Sequence, residues 1–380
     1  MKRFLHLICL LAVAALLPAA LLISHGLPAD TRPYVEQKYA GWNGVLRAWV
    51  CVDWECAGSF PRWLNACAAR FEKNHDGVYI EFTPVYADTL RQMTASGIRP
   101  PELVLFSPGV LDDLSGLKEI DAPAALRGEL RGICGNAFPI AMGGYIWAYN
   151  RELTDGAPAA DSTFAVPSDD DARSFSAAAV ALLSDAPGDE ISSEYAAPDV
   201  GLDLGLPASA AADDAQAGLM IADDALDRFI KGEVPAAIVT QAGLARLIRL
   251  QDAGRGPEWV SVGAGSVAYT DQLLMLGVVA QSGDAAAERE ALAEAFAAGL
   301  LEYDAQVKLA DIGAFSVTGE RIYSDFSAYA QLDALLNGRE LIVPQNLTRS
   351  LPDCAGLLRA RADGSMDAEN SIARLRESMG

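Results

Sequence analysis

Residues Phe138–Leu153 read F-P-I-A-M-G-G-Y-I-W-A-Y-N-R-E-L. A proline lies at the start, Gly143 and Gly144 stand in the middle, and then large and small residues alternate through Tyr145, Ile146, Trp147, Ala148 and Tyr149. A period of two is the pattern of a β-strand, whose successive side chains point to opposite faces. Tyr145, Trp147 and Tyr149 therefore share one face, and Ile146 and Ala148 the other. Asn150 with Arg151 and Glu152 ends the run. On pattern alone this is a buried strand with an aromatic face.

Toward the N-terminus the pattern alternates between strand and helix. Val45–Cys51 reads as a strand and Val52–Ser59 as a loop carrying Asp53, Trp54, Glu55 and Cys56. Pro61–Asn74 has helical periodicity, with Trp63, Leu64, Cys67, Ala68 and Phe71 on one face. Proline is tolerated in a first helical turn, and His75-Asp76-Gly77 stops the helix. Val78–Phe82 is a second strand, Ala87–Ser96 a second helix, and Leu103–Phe106 a short apolar run typical of a strand buried on both faces. This order predicts an open α/β sheet. Ligands of such sheets sit beyond the carboxyl ends of the strands, which puts Val52–Ser59 and Ser107-Pro108-Gly109 at the mouth.

Beyond Asn150, Ala157–Gly218 is dominated by Ala, Asp, Ser, Gly and Pro, with a helix expected at Phe175–Leu183. Its aspartate runs read as solvated faces, since no calcium loop with a closing glutamate is present. Periodicity returns with a helix at Ala222–Lys231, a strand at Val234–Thr240, a helix at Gln241–Leu250, and strands at Glu258–Val262 and Leu273–Val279. Ala285–Ala310 reads as one long helix with Leu292, Ala295, Phe296, Gly299, Leu300 and Tyr303 on one face. Asp325–Asn337 and Met366–Glu377 read as closing helices.

The chain has 380 residues and a formal net charge of −22. That length allows two domain-sized units. The acidic excess argues against a nucleic-acid partner, which would call for clustered Lys and Arg. Lys2 and Arg3 precede an uncharged run, Phe4–Ser24, in the shape of a secretory signal that is also about long enough to span a bilayer. Leu27 fits poorly with cleavage near Ala29, so a cleaved signal and a retained anchor both stay open. Either way Lys2 and Arg3 stay inside and the bulk of the chain goes outside. Cys9 lies too early to accept a lipid. Cys51, Cys56, Cys67, Cys134 and Cys354 are odd in number. Cys51 and Cys56 bracket a short loop and could pair with each other, or one of them with Cys67. With no CxxC pair and few histidines, no zinc site is expected. No G-x-S-x-G elbow, Walker loop or H-E-x-x-H motif occurs, so no catalytic residue, metal or cofactor is expected.

Several runs resemble the extracellular solute-binding proteins of ABC importers, the class that includes maltose-type sugar binders. Pro139, Ala141, Gly143, Tyr149, Asn150, Arg151 and Leu153 match the run that in that family crosses from the first lobe to the second and supplies a hinge strand. Trp63, Phe71, Glu72, Lys73, Gly77 and Val78 match a second run, with Asp76 where proline is usual. Pro101-Glu102-Leu103-Val104 matches a P-D strand, with Glu for Asp. Phe229-Ile230-Lys231-Gly232-Glu233 before a strand resembles the second-lobe signature. Leu300, Gln306, Leu309, Ala310, Gly313 and Val317 resemble a late tract, with Ser316 for proline. Ala242 and Gly243 stand where maltose-type members carry a stacking aromatic, a departure that bears on a large sugar ligand. The resemblance covers Val45–Leu153 and Asp223–Val317.

The resemblance implies a two-lobe, type II periplasmic-binding-protein fold, each lobe an open sheet flanked by helices, with a cleft between. Residues 1–29 would be the signal or anchor and 30–44 a tether. Lobe 1 would hold 45–147 plus 266–324, and lobe 2 would hold 148–265 plus 325–380. It implies an extracytoplasmic, non-enzymatic monomer that captures a small solute, a sugar or oligosaccharide foremost, and delivers it to the membrane permease of an ABC importer. The alternative is a membrane-tethered relative that kept the fold as a sensor or protein-interaction module. A secreted hydrolase with an unrecognised carboxylate site is a third, weaker reading. Candidate ligand contacts are Asp53, Trp54, Glu55, Ser107, Tyr145, Trp147, Thr240, Gln241, Thr270 and Asp271. Carboxylates accept hydrogen bonds from hydroxyls or amines, Trp54 offers a flat stacking face, and the small polar groups suit orientation of a ligand in a pocket.

Overall fold

A computed structural model describes residues 41–95, 100–153, 164–167, 219–222, 224–262, 267–319, 322, 340–348, 370 and 374. The chain divides into two units, Met1–Trp42 and Asn43–Gly380, and the elements below belong to the second. In chain order they are β1 (Gly44–Cys51), α1 (Phe60–Asn74), β2 (Val78–Pro84), α2 (Ala87–Ala95), β3 (Leu103–Phe106), α3 (Gly128–Arg131), β4 (Phe138–Met142) and β5 (Tyr145–Asn150). Then come β6 (Phe164–Pro167), β7 (Leu219–Ala222), α4 (Ala225–Ile230), β8 (Ala236–Thr240), α5 (Gln241–Asp252), β9 (Trp259–Val262) and β10 (Val267–Tyr269). The last are β11 (Leu273–Val278), α6 (Ala286–Gly299), α7 (Tyr303–Gln306), a 3₁₀ turn at Val307–Ile312, and β12 (Glu340–Ile342).

Two five-stranded sheets carry the fold, in the orders β2-β1-β3-β11-β4 and β7-β6-β8-β5-β9. In the first, β1 runs parallel to β2 and β3, with Val50 opposite Leu105. β11 is antiparallel to β3 and β4, with a register shift between Leu274 and Met275. In the second, β5 is antiparallel to β8 and β9, while β6 is parallel to β7 and β8. β10 and β12 form a separate parallel pair. The stretch Phe138–Leu153 is thus two strands in two sheets, joined at Gly143–Gly144.

The apolar patterns explain the cores. All four residues of β3 are buried, as a strand covered on both faces requires. α1 buries Trp63, Leu64, Cys67, Ala68 and Phe71, the face expected from its periodicity. Ser59 caps it by accepting from Arg62 N–H, and Pro61 occupies its first turn. Trp63 Nε1 donates to Ala305 O at 2.9 Å, and the Phe71 ring meets Phe296 edge-on at 5.5 Å. Glu72 accepts from Ile80 N–H at 2.9 Å, which ties helix to strand. Glu102 is 1% exposed. Its carboxylate accepts from Arg47 N–H at 2.8 Å and from Arg289 Nη1 at 3.1 Å. The motif residues of the first sheet thus do structural work.

The long helix expected over Ala285–Ala310 is broken. α6 stops at Gly299, a poor helix former. Leu301 N–H bonds the carbonyl three residues back, and Glu302 turns extended before α7 restarts. The break lets Gln306, fully buried, turn inward. Its Nε2 donates to Leu300 O at 2.7 Å and Ile140 O at 2.9 Å, while its Oε1 accepts from Ser316 Oγ and Val317 N–H. The buried stripe of α6 is Arg289, Ala293, Phe296 and Ala297, rotated from the expected face, and Tyr303 is half exposed. The helix expected at Ala222–Lys231 is α4, which starts later, at Ala225, because Ala222 ends β7.

Cys51, Cys56, Cys67 and Cys134 are free thiols, so neither Cys51–Cys56 nor a bridge from either to Cys67 forms. Burial pushes Cys51, Cys67 and Cys134 up to about 11, with the Asp53 charge adding to the effect at Cys51. The N-terminal segment, Cys354, Phe175–Leu183 and Asp325–Asn337 lie outside the described residues. So does all of Met366–Glu377 except two helical positions, Asn370 and Arg374. Among the described residues no helix is long and apolar enough to cross a membrane.

Candidate functional site

The site begins where the chain passes from β4 to β5. Met142 and Phe315 exchange both backbone hydrogen bonds, at 3.1 and 2.7 Å, and fix the end of β4. Gly143 N–H donates to Gln272 O at 2.7 Å, and Thr270 Oγ donates to Gly143 O at 3.0 Å. The crossing at Gly143 is thereby bonded to the segment that leads into β11. A Cβ at Gly143 would strike Gln272 Oε1 and would lie 2.7 Å from Gln241 Cδ, so a larger residue there must displace the ends of both glutamines.

Tyr145, the first residue of β5, donates its hydroxyl to Asp271 Oδ1 at 2.7 Å. Thr270 and Asp271 are buried, at 1% and 2% exposure. Thr240 ends β8 and caps α5, its hydroxyl accepting from Gly243 N–H at 3.3 Å. Gln241 follows, with Oε1 accepting from Gly144 N–H at 3.1 Å and Nε2 donating to Glu55 O at 2.6 Å. Five of the expected residues, Tyr145, Thr240, Gln241, Thr270 and Asp271, thus gather at one crossing between the sheets.

The loop after β1 forms the opposite wall. Asp53 and Glu55 are exposed. Asp53 N–H donates to Ser107 Oγ at 3.2 Å, which ties together the ends of β1 and β3; Ser107 itself is buried. Trp54 is also buried and packs edge-on against Phe60 with ring centroids 4.9 Å apart. Gly58 N–H donates to Ile312 O at 3.0 Å. The backbone of Trp147 pairs with Ile238 and Val262; its side chain lies outside the described residues.

The loop beyond the carboxyl end of β1, tied to the end of β3 through Asp53 and Ser107, therefore meets the start of α5 at Gln241, on the side on which open α/β sheets take ligands. Among the described residues the donor Trp54 Nε1 and the acceptor Gln272 Oε1 are buried there with no hydrogen-bond partner. Gln272 and Gly143, together with Gly313 and Ala245, which approach each other beside the mouth loop so that a Cβ at Gly313 would stand 3.3 Å from Ala245 Cβ, were not among the expected site residues. Gly143 and Gly313 lie in motif runs, and Gln272 adjoins Thr270-Asp271, but side-chain reach across the crossing has no sequence signature. Among the described residues no cluster of His, Cys, Asp and Glu could hold a metal ion.

Comparison with solved structures identifies the architecture. The GacH receptor of Streptomyces glaucescens GLA.O, solved unliganded and with acarbose, is similar with a TM-score of 0.57 at 14% identity, over 89% of this chain and 99% of that one. The maltodextrin binding protein MalE1 from L. casei BL23 gives 0.58 at 13% identity, over 89% and 98%. A probable secreted solute-binding lipoprotein from Streptomyces coelicolor gives 0.61 at 12% identity, over 88% and 98%. No protein-family model and no curated protein matches the chain. The fold is that of the two-lobe, type II binding proteins, as the sequence runs implied.

Proposed function

We propose that this two-lobe chain is an extracytoplasmic solute-binding protein that takes a small solute, a sugar or oligosaccharide foremost, between its lobes and presents it to the permease of an ABC importer. One observation carries the reading. The loop beyond β1 in one sheet, tied to the end of β3 through Asp53–Ser107, is bonded to the β8–α5 junction of the other through Glu55–Gln241, across a crossing that passes through Gly143–Gly144. A ligand contacting both walls favours the closed arrangement by its differential affinity for it. The exposed carboxylates of Asp53 and Glu55 suit hydroxyl or amine donors. The structural neighbours named for sugars support the ligand class.

A second reading, a tethered sensor or interaction module, is favoured by one specific observation. Gln241 Nε2 is already bonded to the Glu55 backbone carbonyl across the cleft.

A thermal-shift screen with maltodextrins, monosaccharides, amino acids, peptides and polyamines separates the two. A ligand at about 100 times its Kd adds about 2.7 kcal/mol, a rise of several degrees in Tm. Such a rise is expected with a sugar, reduced in Asp53→Ala. A cooperative melt that no solute moves would shift the reading to the interaction module. Asp53 is the residue to change because Trp54, packed on Phe60, would cost stability by itself.

A further inference from the structure

One side chain joins the crossing, the second sheet and the mouth loop of the first. Gln241 is 1% exposed. Its backbone N–H donates to Gly144 O at 3.0 Å. Its amide oxygen takes Gly144 N–H at 3.1 Å, and its amide nitrogen donates to Glu55 O at 2.6 Å. The loop it grips is fixed on its own side by Asp53–Ser107, Gly58–Ile312 and the Trp54–Phe60 contact. Pulling on Glu55 therefore pulls on the first sheet, because the loop has little slack.

A seam of small residues lies beside this bond. Gly313 is left-handed at φ +71°, and a Cβ there would stand 2.9 Å from Ala57 Cβ and 3.3 Å from Ala245 Cβ. Ala57 belongs to the mouth loop and Ala245 to α5. The mouth loop thus meets α5 directly at Glu55–Gln241, and Gly313, close against Ala57, meets α5 at Ala245, so separating the lobes must part both contacts together.

We propose that Gln241 is a latch that holds the hinge end of the cleft shut in the protein without solute. It is a positioning residue, acting through the Glu55 carbonyl and the Gly144 amide. The inference rests on the two-lobe fold and not on the identity, or existence, of a transported solute. One net hydrogen bond shifts an open–closed equilibrium by about twofold to about tenfold, so removing it moves the population without abolishing the fold.

Gln241→Glu tests the idea. The carboxylate keeps the size of the side chain and an acceptor for Gly144 N–H, but it has no N–H for Glu55 O and repels it. Gln241→Met, neutral and of similar volume, removes both side-chain bonds. Ala245→Leu leaves Gln241 intact and wedges the seam, which gives an opened reference. Small-angle scattering of the full chain is compared among the four proteins without solute, alongside thermal melts. The expected result is a larger radius of gyration in both Gln241 variants, toward that of Ala245→Leu, with cooperative melting retained. Hydrogen exchange at Gly144 should stay slow in Gln241→Glu and speed up in Gln241→Met. Scattering of the Gln241 variants that overlays the wild type overturns the proposal, whether or not Ala245→Leu expands. Loss of cooperative melting in both Gln241 variants also overturns it, since Gln241 would then be a core residue and not a latch.

Discussion

Gln306 shows how one residue can organise several segments. Its side chain makes four hydrogen bonds, to Leu300 O, Ile140 O, Ser316 Oγ and Val317 N–H, and is fully buried. Truncation leaves these groups without partners, at about 1–3 kcal/mol for each group that water cannot reach. Gln306→Ala is therefore expected to lose about 3 kcal/mol or more in denaturant titration, and Lys308→Ala, exposed in the next turn, to stay within about 0.5 kcal/mol. At this scale the sequence was partly legible. The identity of Gln306 stood out in a motif run, but its role depends on a chain break that periodicity does not show. Trp54 was legible as an aromatic in a loop, whereas its packing on Phe60 depends on how the loop folds back onto α1. Gln272 was not legible, because a polar residue beside a strand looks alike whether it faces solvent or a crossing.

Elements were read more securely than single side chains, because each rests on several residues acting together. α1, β1 and β3 lie where their apolar patterns put them. The helix after β11 was read too long because Leu300 and Tyr303 continue a helical spacing even though Glu302 is extended. The short crossing between β4 and β5 was legible only as two glycines. Their roles differ. A Cβ at Gly143 would collide with Gln272 and Gln241, whereas one at Gly144 would meet only Phe315, at 3.4 Å. Gly143→Ala is thus expected to cost about 1–3 kcal/mol as an overpacked site, and Gly144→Ala clearly less. Equal melting temperatures for the two variants would contradict this account of the crossing.

Across the whole molecule, the order β2-β1-β3-β11-β4 brings a late strand into the first sheet, and β5 leaves it for the second. That exchange gives the chain two lobes and a cleft. It was legible through the resemblance of ordered runs, since neither composition nor the net charge of −22 bears on topology. The most direct test of solute capture is hydrogen exchange of the wild-type chain with and without a maltodextrin mixture. The account predicts added protection in both walls together, in the Asp53–Glu55 loop with Ser107 and in Thr240–Gly243. Protection confined to one wall, or none while the chain melts cooperatively, would contradict sugar capture between the lobes.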